Sequence, residues 1–102
     1  MQQITIDEVK ARLDNGEKLH LLDVRQPSEN AEFNIGGILF PLGKVQAMEI
    51  EDIDDLKDKE VICYCRSGNR SGQACNILDM LGFKNTKNLV GGMLAWREKF
   101  GD

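Results

Sequence analysis

Residues 61–78 read VICYCRSGNRSGQACNIL, and this stretch decides the fold. An apolar run comes first, followed by a short basic segment containing a glycine and then by a helical pattern of apolar side chains. The pattern predicts a buried strand over 60–65, a loop, and a helix over 71–81 that ends at Gly82. Strand–loop–helix units of this kind build parallel sheets with helices on both faces.

The flanking segments repeat this alternation. Thr5 and Glu8 have the spacing of a capping box and predict a short helix that ends at Asn15 and Gly16. The other predicted elements are strands over 19–24, 38–40 and 87–90, a helix over 28–33, a short helix or pair of turns over 45–56, and a last helix from residue 93. We therefore expect a single α/β domain over residues 1–102, in three layers, with a mostly parallel central sheet of about five strands flanked by helices.

The composition excludes several classes of function. The 102 residues carry a net charge of −4 and a pI near 5.0, so no basic face is expected to bind nucleic acid. No apolar run is long enough to cross a bilayer, and the N-terminal residues lack the apolar core of a signal peptide. All three cysteines lie between Cys63 and Cys75, which is not the pattern of a disulfide framework. We therefore expect a cytoplasmic monomer without membrane or nucleic-acid partners.

The loop after the predicted strand has the features of a reactive-cysteine site. Cys65 lies at the carboxyl end of a predicted parallel strand, where such sheets bind their ligands. Backbone N–H groups of the loop and of the helix start can point at the sulfur. Arg66 and Arg70 add positive charge, so the thiolate is favoured over the thiol. The six residues from Cys65 to Arg70 predict a tight cradle around one sulfur atom that needs no metal.

Other residues of this segment have predicted supporting roles. Gly68 is expected to relieve a side-chain clash where the loop turns tightly. The Ser67 hydroxyl can donate a hydrogen bond to a bound anion, and Ser71 is predicted to cap the following helix. Arg70 is expected to fix the loop conformation as much as to bind an anion.

Three segments together resemble the single-domain rhodaneses, a family of sulfurtransferases: CRSGNRS at 65–71, LLDVRQPSE at 21–29 and NLVGGMLAW at 88–96. The resemblance implies that Cys65 is the catalytic nucleophile. It would take sulfane sulfur from a small anionic donor, such as thiosulfate or a persulfide, and become a persulfide itself. A thiol, cyanide or a protein acceptor would then receive the sulfur. The implied activity is that of a thiosulfate sulfurtransferase that uses no cofactor.

The resemblance also assigns the remaining site residues. The substrate-binding loop would consist of Arg66, Ser67, Gly68, Asn69 and Arg70. The residues that support this loop would be Asp23, Arg25 and Ser71. A simple ion pair at a strand end is an equally good interpretation of the first two. Gly91 and Gly92 either let the backbone approach the loop closely or merely form the turn before the last helix.

The chain departs from the family pattern at residues 34–37. The family usually has histidine, isoleucine, proline and glycine there, whereas this chain has NIGG. Loss of the proline is expected to loosen the turn, since proline fixes its backbone angle.

Alternative functions remain open from the residues alone. A phosphatase or arsenate reductase also places an arginine after its cysteine, but with five intervening residues instead of the four between Cys65 and Arg70. A cysteine hydrolase would need a histidine base, and the only histidine, His20, lies far from the loop in sequence. A sulfur-carrier or regulatory module would keep the same cysteine. Cys63 and Cys75 are expected to be buried and inert, and the three cysteines lack the fourth ligand of a metal site.

Overall fold

The computed structural model describes residues 1–102, which form one five-stranded sheet with helices on both faces. The strands are β1 (Gln2–Ile4), β2 (Leu21–Asp23), β3 (Ile38–Leu39), β4 (Glu60–Tyr64) and β5 (Asn85–Leu89). The helices are α1 (Ile6–Asp14), α2 (Pro27–Glu32), α3 (Leu42–Gln46), α4 (Asn69–Met80) and α5 (Gly92–Phe100), with a 3₁₀ helix over Glu51–Leu56. All paired strands are parallel, in the order β1-β5-β4-β2-β3.

Strand β4 occupies the middle of the sheet because its side chains are apolar on both faces. Val61 and Cys63 pack on one face beneath α3, the 3₁₀ helix and α4. Ile62 and Tyr64 pack on the other face beneath α1 and α5. All four side chains are fully buried. A slip of one residue in register would exchange these two core layers, so the pairing of β4 is strongly specified.

The predicted fold class is confirmed in its layers, its parallel sheet and its number of strands. Strand β1 is not evident in the sequence, because its residues are mostly exposed and pair only with β5 at the sheet edge. The predicted helix or pair of turns over 45–56 comprises the end of α3 and the 3₁₀ helix. Helix α4 begins at Asn69, two residues before the predicted start.

The carboxyl ends of β2, β4 and β5 meet at one end of the sheet, as they must in a parallel arrangement. Asp23, Cys65 and Leu89 lie there, whereas His20 precedes β2 at the opposite end. The longest helix, α4, has 12 residues, and none of the helices is long and apolar enough to cross a membrane.

Candidate active site

The sulfur of Cys65 lies in a cradle of backbone amides between β4 and α4. The backbone N–H of Gly68 donates to Cys65 Sγ at 3.1 Å, and the backbone N–H of Ser71 approaches it at 3.4 Å. Cys65 itself is buried, at 1% exposure. The amides belong to the N-cap and the first turn of α4, where helical N–H groups have no intrahelical acceptors. The sulfur takes the place of these missing acceptors.

Gly68 is required for its backbone conformation, and the clash that it relieves is between a side chain and its own backbone. Its φ of +105° lies in the left-handed region, which residues with a side chain rarely adopt. A Cβ atom built at this position would come no closer than 3.6 Å to any neighbouring atom. This conformation turns the Gly68 amide toward the sulfur and starts α4 immediately afterwards.

The prediction that Ser71 caps α4 is wrong. The N-cap residue is Gly68, and Ser71 is the third residue of the helix. Its buried hydroxyl lies 3.4 Å from Cys65 Sγ and 2.5 Å from the Oδ1 atom of Asn88. The hydroxyl is therefore part of the wall of the sulfur cradle, which is a support role of a different kind from capping.

The environment of Cys65 contains opposing influences on its ionisation. Burial of the thiol favours the neutral form, but hydrogen bonds from the backbone N–H groups of Ser71, Gly68 and Ser67 favour the thiolate. The net effect lowers the pKa of Cys65 below its ordinary value. Directed hydrogen-bond donors are thus the main cause of the lowered pKa.

Helix α5 holds the loop from the other side. The backbone N–H groups of Met93 and Leu94 donate to the carbonyl oxygens of Cys65 and Arg66, each at 2.9 Å. A Cβ atom on Gly92 would lie 2.5 Å from the Cys65 carbonyl oxygen, so only glycine permits this approach. Of the two interpretations of the glycine pair, close backbone approach is therefore correct for Gly92. With its carbonyls bound to α5, the loop can direct its amides at the sulfur.

Asp23 and Arg25 form a buried, bidentate ion pair at the carboxyl end of β2, with both nitrogen–oxygen distances at 2.8 Å. The pair also binds Asn30 of α2 and the carbonyl oxygen of Phe33. No hydrogen bond joins either residue to the loop. The strand-end ion pair is therefore the correct interpretation of their geometry, and any support of the loop passes through α2.

Helix α2 reaches the loop through Glu29. Its carboxylate accepts two hydrogen bonds from Arg70, at 2.7 and 2.8 Å, and a third from the backbone of Gln26. The hydrogen bonds from Arg70 lower the pKa of Glu29 to about 2. This pair supports the expectation that Arg70 fixes the start of α4. It uses one N–H of each terminal nitrogen of Arg70, and Glu29 offsets part of the positive charge that Arg70 could offer to a donor.

Beside the loop, between α2 and α5, lies a shallow cleft of about 80 Å³. Its lining residues are Arg25, Glu29, Glu32, Arg66, Met93, Leu94 and Arg97. Arg66 is exposed and has no carboxylate partner, whereas Arg97 is paired with Asp102 at 2.6 Å. Ser67 and Asn69 are also exposed. Arg66 is thus the one cleft arginine whose charge is free to meet an anion.

The turn over residues 34–37 has no proline, but hydrogen bonds hold its conformation. Asn34 accepts a hydrogen bond from the backbone of Gly36 at 2.8 Å and donates one to the carbonyl oxygen of Asn30. Gly37 donates to the Tyr64 hydroxyl at 3.3 Å. These bonds replace the restraint that proline would supply, so the expected loosening of this turn finds no support.

Asn88 is a further residue of the site that the sequence pattern does not reveal. It is buried at the end of β5, and its amide bonds both Ser71 and the carbonyl oxygen of Gly68. No local pattern in β5 identifies it, because Thr86 and Asn88, which lie on the same face of the strand, are both polar. Cys63 and Cys75 are buried thiols, as expected, and neither forms a disulfide.

Comparison with known proteins identifies relatives over almost the whole chain. The family model described as "Rhodanese-like domain" matches residues 5–99. The Bacillus subtilis protein named "Putative sulfurtransferase YtwF" is 39% identical over 97 residues, covering 94% of this chain and 90% of that protein. Another protein from B. subtilis, named "Putative sulfur carrier protein YrkF", is 35% identical over 100 residues, covering 95% of this chain and 51% of that protein. Among solved structures, a rhodanese-like domain protein from Staphylococcus aureus has a TM-score of 0.82 at 29% identity, covering 94% of this chain and 91% of its own.

Proposed function

Because this chain belongs to the rhodanese-like sulfurtransferase family, we propose that it moves sulfane sulfur from thiosulfate or a similar donor to a thiophilic acceptor through a persulfide on Cys65. The observation that carries the proposal is the amide cradle around Cys65 Sγ. The cradle offers hydrogen bonds to a sulfur anion from Gly68 and Ser71. Such donors stabilise a thiolate before the reaction and a persulfide anion after it.

The proposed reaction has two displacement steps. In the first, the Cys65 thiolate attacks the outer sulfur of thiosulfate, the sulfur–sulfur bond of the donor breaks, and sulfite leaves with the bonding electron pair. Cys65 then carries a persulfide anion. In the second step, cyanide or a thiolate attacks the terminal sulfur, and the electron pair of the breaking bond returns to Cys65. The products are thiocyanate or a new persulfide, and the resting thiolate is restored.

The surroundings of the loop supply donor and acceptor contacts. Arg66 lies beside the cradle with an unpaired charge, so it is the group best placed to bind an oxyanion of the donor. The cleft next to it has an apolar wall, to which Leu94 contributes. This wall suits the organic part of a thiol acceptor.

The loop argues against the oxyanion-chemistry alternative. A phosphatase or arsenate reductase has five residues between its cysteine and its arginine, whereas Cys65 and Arg70 have four between them. The shorter loop leaves less room for a tetrahedral anion. Glu29 also offsets part of the positive charge that Arg70 could offer to such an anion.

The proposed function is tested by the intact mass of the protein after incubation with thiosulfate. We expect a gain of one sulfur atom, which cyanide then removes as thiocyanate. Cys65→Ser should abolish both results, whereas Cys63→Ser and Cys75→Ser should retain them, since those thiols are fully buried and form no hydrogen bond in the cradle. Transfer of sulfur by Cys65→Ser would overturn the assignment.

A sulfur-carrier role is the second candidate, because one relative of about twice this length is named as a carrier. A carrier would load sulfur onto the same cysteine but hand it to one protein partner. The two roles differ in turnover with small acceptors. Many thiocyanate molecules per protein in the presence of excess thiosulfate and cyanide favour the enzyme, and a single equivalent favours the carrier.

A further inference from the structure

Asn88 connects Gly68 and Ser71, the two residues that surround the sulfur of Cys65. It lies at the end of β5, is only 7% exposed, and uses both atoms of its side-chain amide. Its Nδ2 atom donates to the carbonyl oxygen of Gly68 at 3.0 Å. Its Oδ1 atom lies 2.5 Å from the hydroxyl of Ser71, which in turn lies 3.4 Å from the sulfur of Cys65.

The contact with Gly68 fixes the orientation of the Asn88 amide. A flipped amide would place Oδ1 against the Gly68 carbonyl oxygen, and two acceptors would then face each other without a proton between them. In the observed orientation Oδ1 therefore faces Ser71. A carboxamide oxygen carries no proton, so the proton in this short contact must come from the Ser71 hydroxyl.

A serine hydroxyl has only one proton to donate. While Asn88 receives it, Ser71 presents lone pairs to Cys65, and these cannot stabilise a thiolate. In the sulfur-loaded cysteine, Sγ is bonded to carbon and to the outer sulfur, and the outer sulfur carries the negative charge. Sγ then needs no hydrogen-bond donor from Ser71. We propose that Asn88 is a positioning residue that holds the Ser71 hydroxyl away from Cys65, and so favours the sulfur-loaded cysteine over the resting thiolate.

This inference rests on the proposed function for its persulfide half, while the direction of the hydroxyl can be tested without any sulfur donor. No side chain other than Ser71 forms a hydrogen bond with Cys65 Sγ. The titratable and charged groups of the surrounding elements are Arg66, Arg70, Cys63, Cys75, Asp23, Arg25 and Glu29, and the N-terminal turn of α5 contributes only backbone amides. Cys63 and Cys75 are replaced by serine in every variant below and in the parent with which each is compared, and the other groups are retained.

The test is the rate of alkylation of Cys65 by iodoacetamide as a function of pH, in a Cys63→Ser, Cys75→Ser background. Asn88→Ala should free the Ser71 hydroxyl to donate to the thiolate. We expect the midpoint of the pH profile to fall by about 0.5 to 1 unit. Ser71→Ala should have a small effect while Asn88 is present. In the Asn88→Ala protein, Ser71→Ala should raise the midpoint again, by the same amount by which Asn88→Ala lowered it.

A purely structural role for Asn88 would give another pattern. Loosening of the loop would raise the midpoint in Asn88→Ala, and would do so equally with or without the Ser71 hydroxyl. Either of those results overturns the proposal. If Asn88→Ala does not fold, the test rests on Ser71→Ala in the presence of Asn88. A midpoint raised by about one unit or more would mean that the hydroxyl already donates to the sulfur, and this would overturn the proposal.

The persulfide half is measured by intact mass at a fixed ratio of thiosulfate to sulfite. Asn88→Ala should reduce the ratio of loaded to unloaded protein several-fold relative to the parent, because its thiolate is the more stable. An unchanged ratio would overturn this half. Absence of loading in the parent protein would instead refute the proposed function, and the alkylation result would remain valid.

Discussion

Arg66 and Arg70 are equivalent in the sequence of the loop but not in its structure. Arg70 is bound to Glu29, whereas Arg66 is exposed at the cleft without a carboxylate partner. A paired guanidinium contributes little net charge to its surroundings. An exposed, unpaired guanidinium attracts anions, and dissolved salt weakens this attraction. The two positions are therefore expected to contribute differently to donor binding.

Arg66→Ala should raise the KM for thiosulfate roughly ten-fold, equivalent to the loss of about 1.4 kcal/mol of binding free energy, with a smaller change in kcat. The measurement is initial rates of thiocyanate formation at several salt concentrations, since added salt should narrow the difference from the parent protein. Arg97→Ala is the matched control, because Arg97 lines the same cleft but is paired with Asp102. Equal effects of the two substitutions would contradict a special role for Arg66.

The sequence reveals Cys65 but not the side chains behind it, and the reason is physical. The cysteine is recognisable because strand, loop and helix start are adjacent in the chain, so local pattern places it in the cradle. Ser71 and Asn88 are separated by 17 residues, and they meet only because β5 pairs with β4. Contacts of this kind depend on the register of the sheet, which one chain segment alone does not specify.

Among the helices and strands, the close packing of α5 against the loop determines the shape of the cradle. Gly92 has a φ of +55°, and the space where its Cβ would lie is already occupied by the backbone of Cys65 and Arg66. The two hydrogen bonds from α5 to the loop carbonyls depend on this contact. The sequence shows a glycine pair, yet only the structure distinguishes the glycine that is sterically required.

Gly92→Ala should destabilise the protein by roughly 2–4 kcal/mol, because backbone atoms cannot move aside as a flexible side chain would. It should also slow sulfur loading of the folded fraction, since the loop must shift. Urea unfolding and the loading rate give the two measurements. Gly43→Ala in α3 is the control, because a Cβ there meets nothing within 4 Å, and a gain of about 0.5–1 kcal/mol is expected. A parental stability for Gly92→Ala would show that the contact is not restrictive.

In the molecule as a whole, one end of the sheet carries the candidate active site and the other carries a network of ion pairs. The carboxyl end holds Cys65, whereas the amino end holds an ion-pair network centred on Glu60, the first residue of β4. Its carboxylate binds Arg12 of α1 at 2.7 and 3.0 Å and Lys87 of β5 at 2.6 Å. The hydrogen bonds from Arg12 and Lys87 overcome the effect of burial and lower the pKa of Glu60 to about 2. The network thus joins one helix and two strands far from the chemistry.

Acid should therefore weaken the fold through Glu60. A carboxylate whose pKa is lower in the folded than in the unfolded chain stabilises the fold above its ordinary pKa near 4.5, and this stabilisation is lost as the pH falls toward 2. Glu60→Gln should reduce the free energy of unfolding at pH 7 by about 1–3 kcal/mol. The deficit should shrink below pH 4.5 and vanish near pH 2, as measured by urea unfolding across this range. Because the network and Cys65 lie at opposite ends of β4, the alkylation profile of Cys65 should be the same in parent and variant. A deficit that persists undiminished at low pH would mean that Glu60 acts through packing and not through its charge.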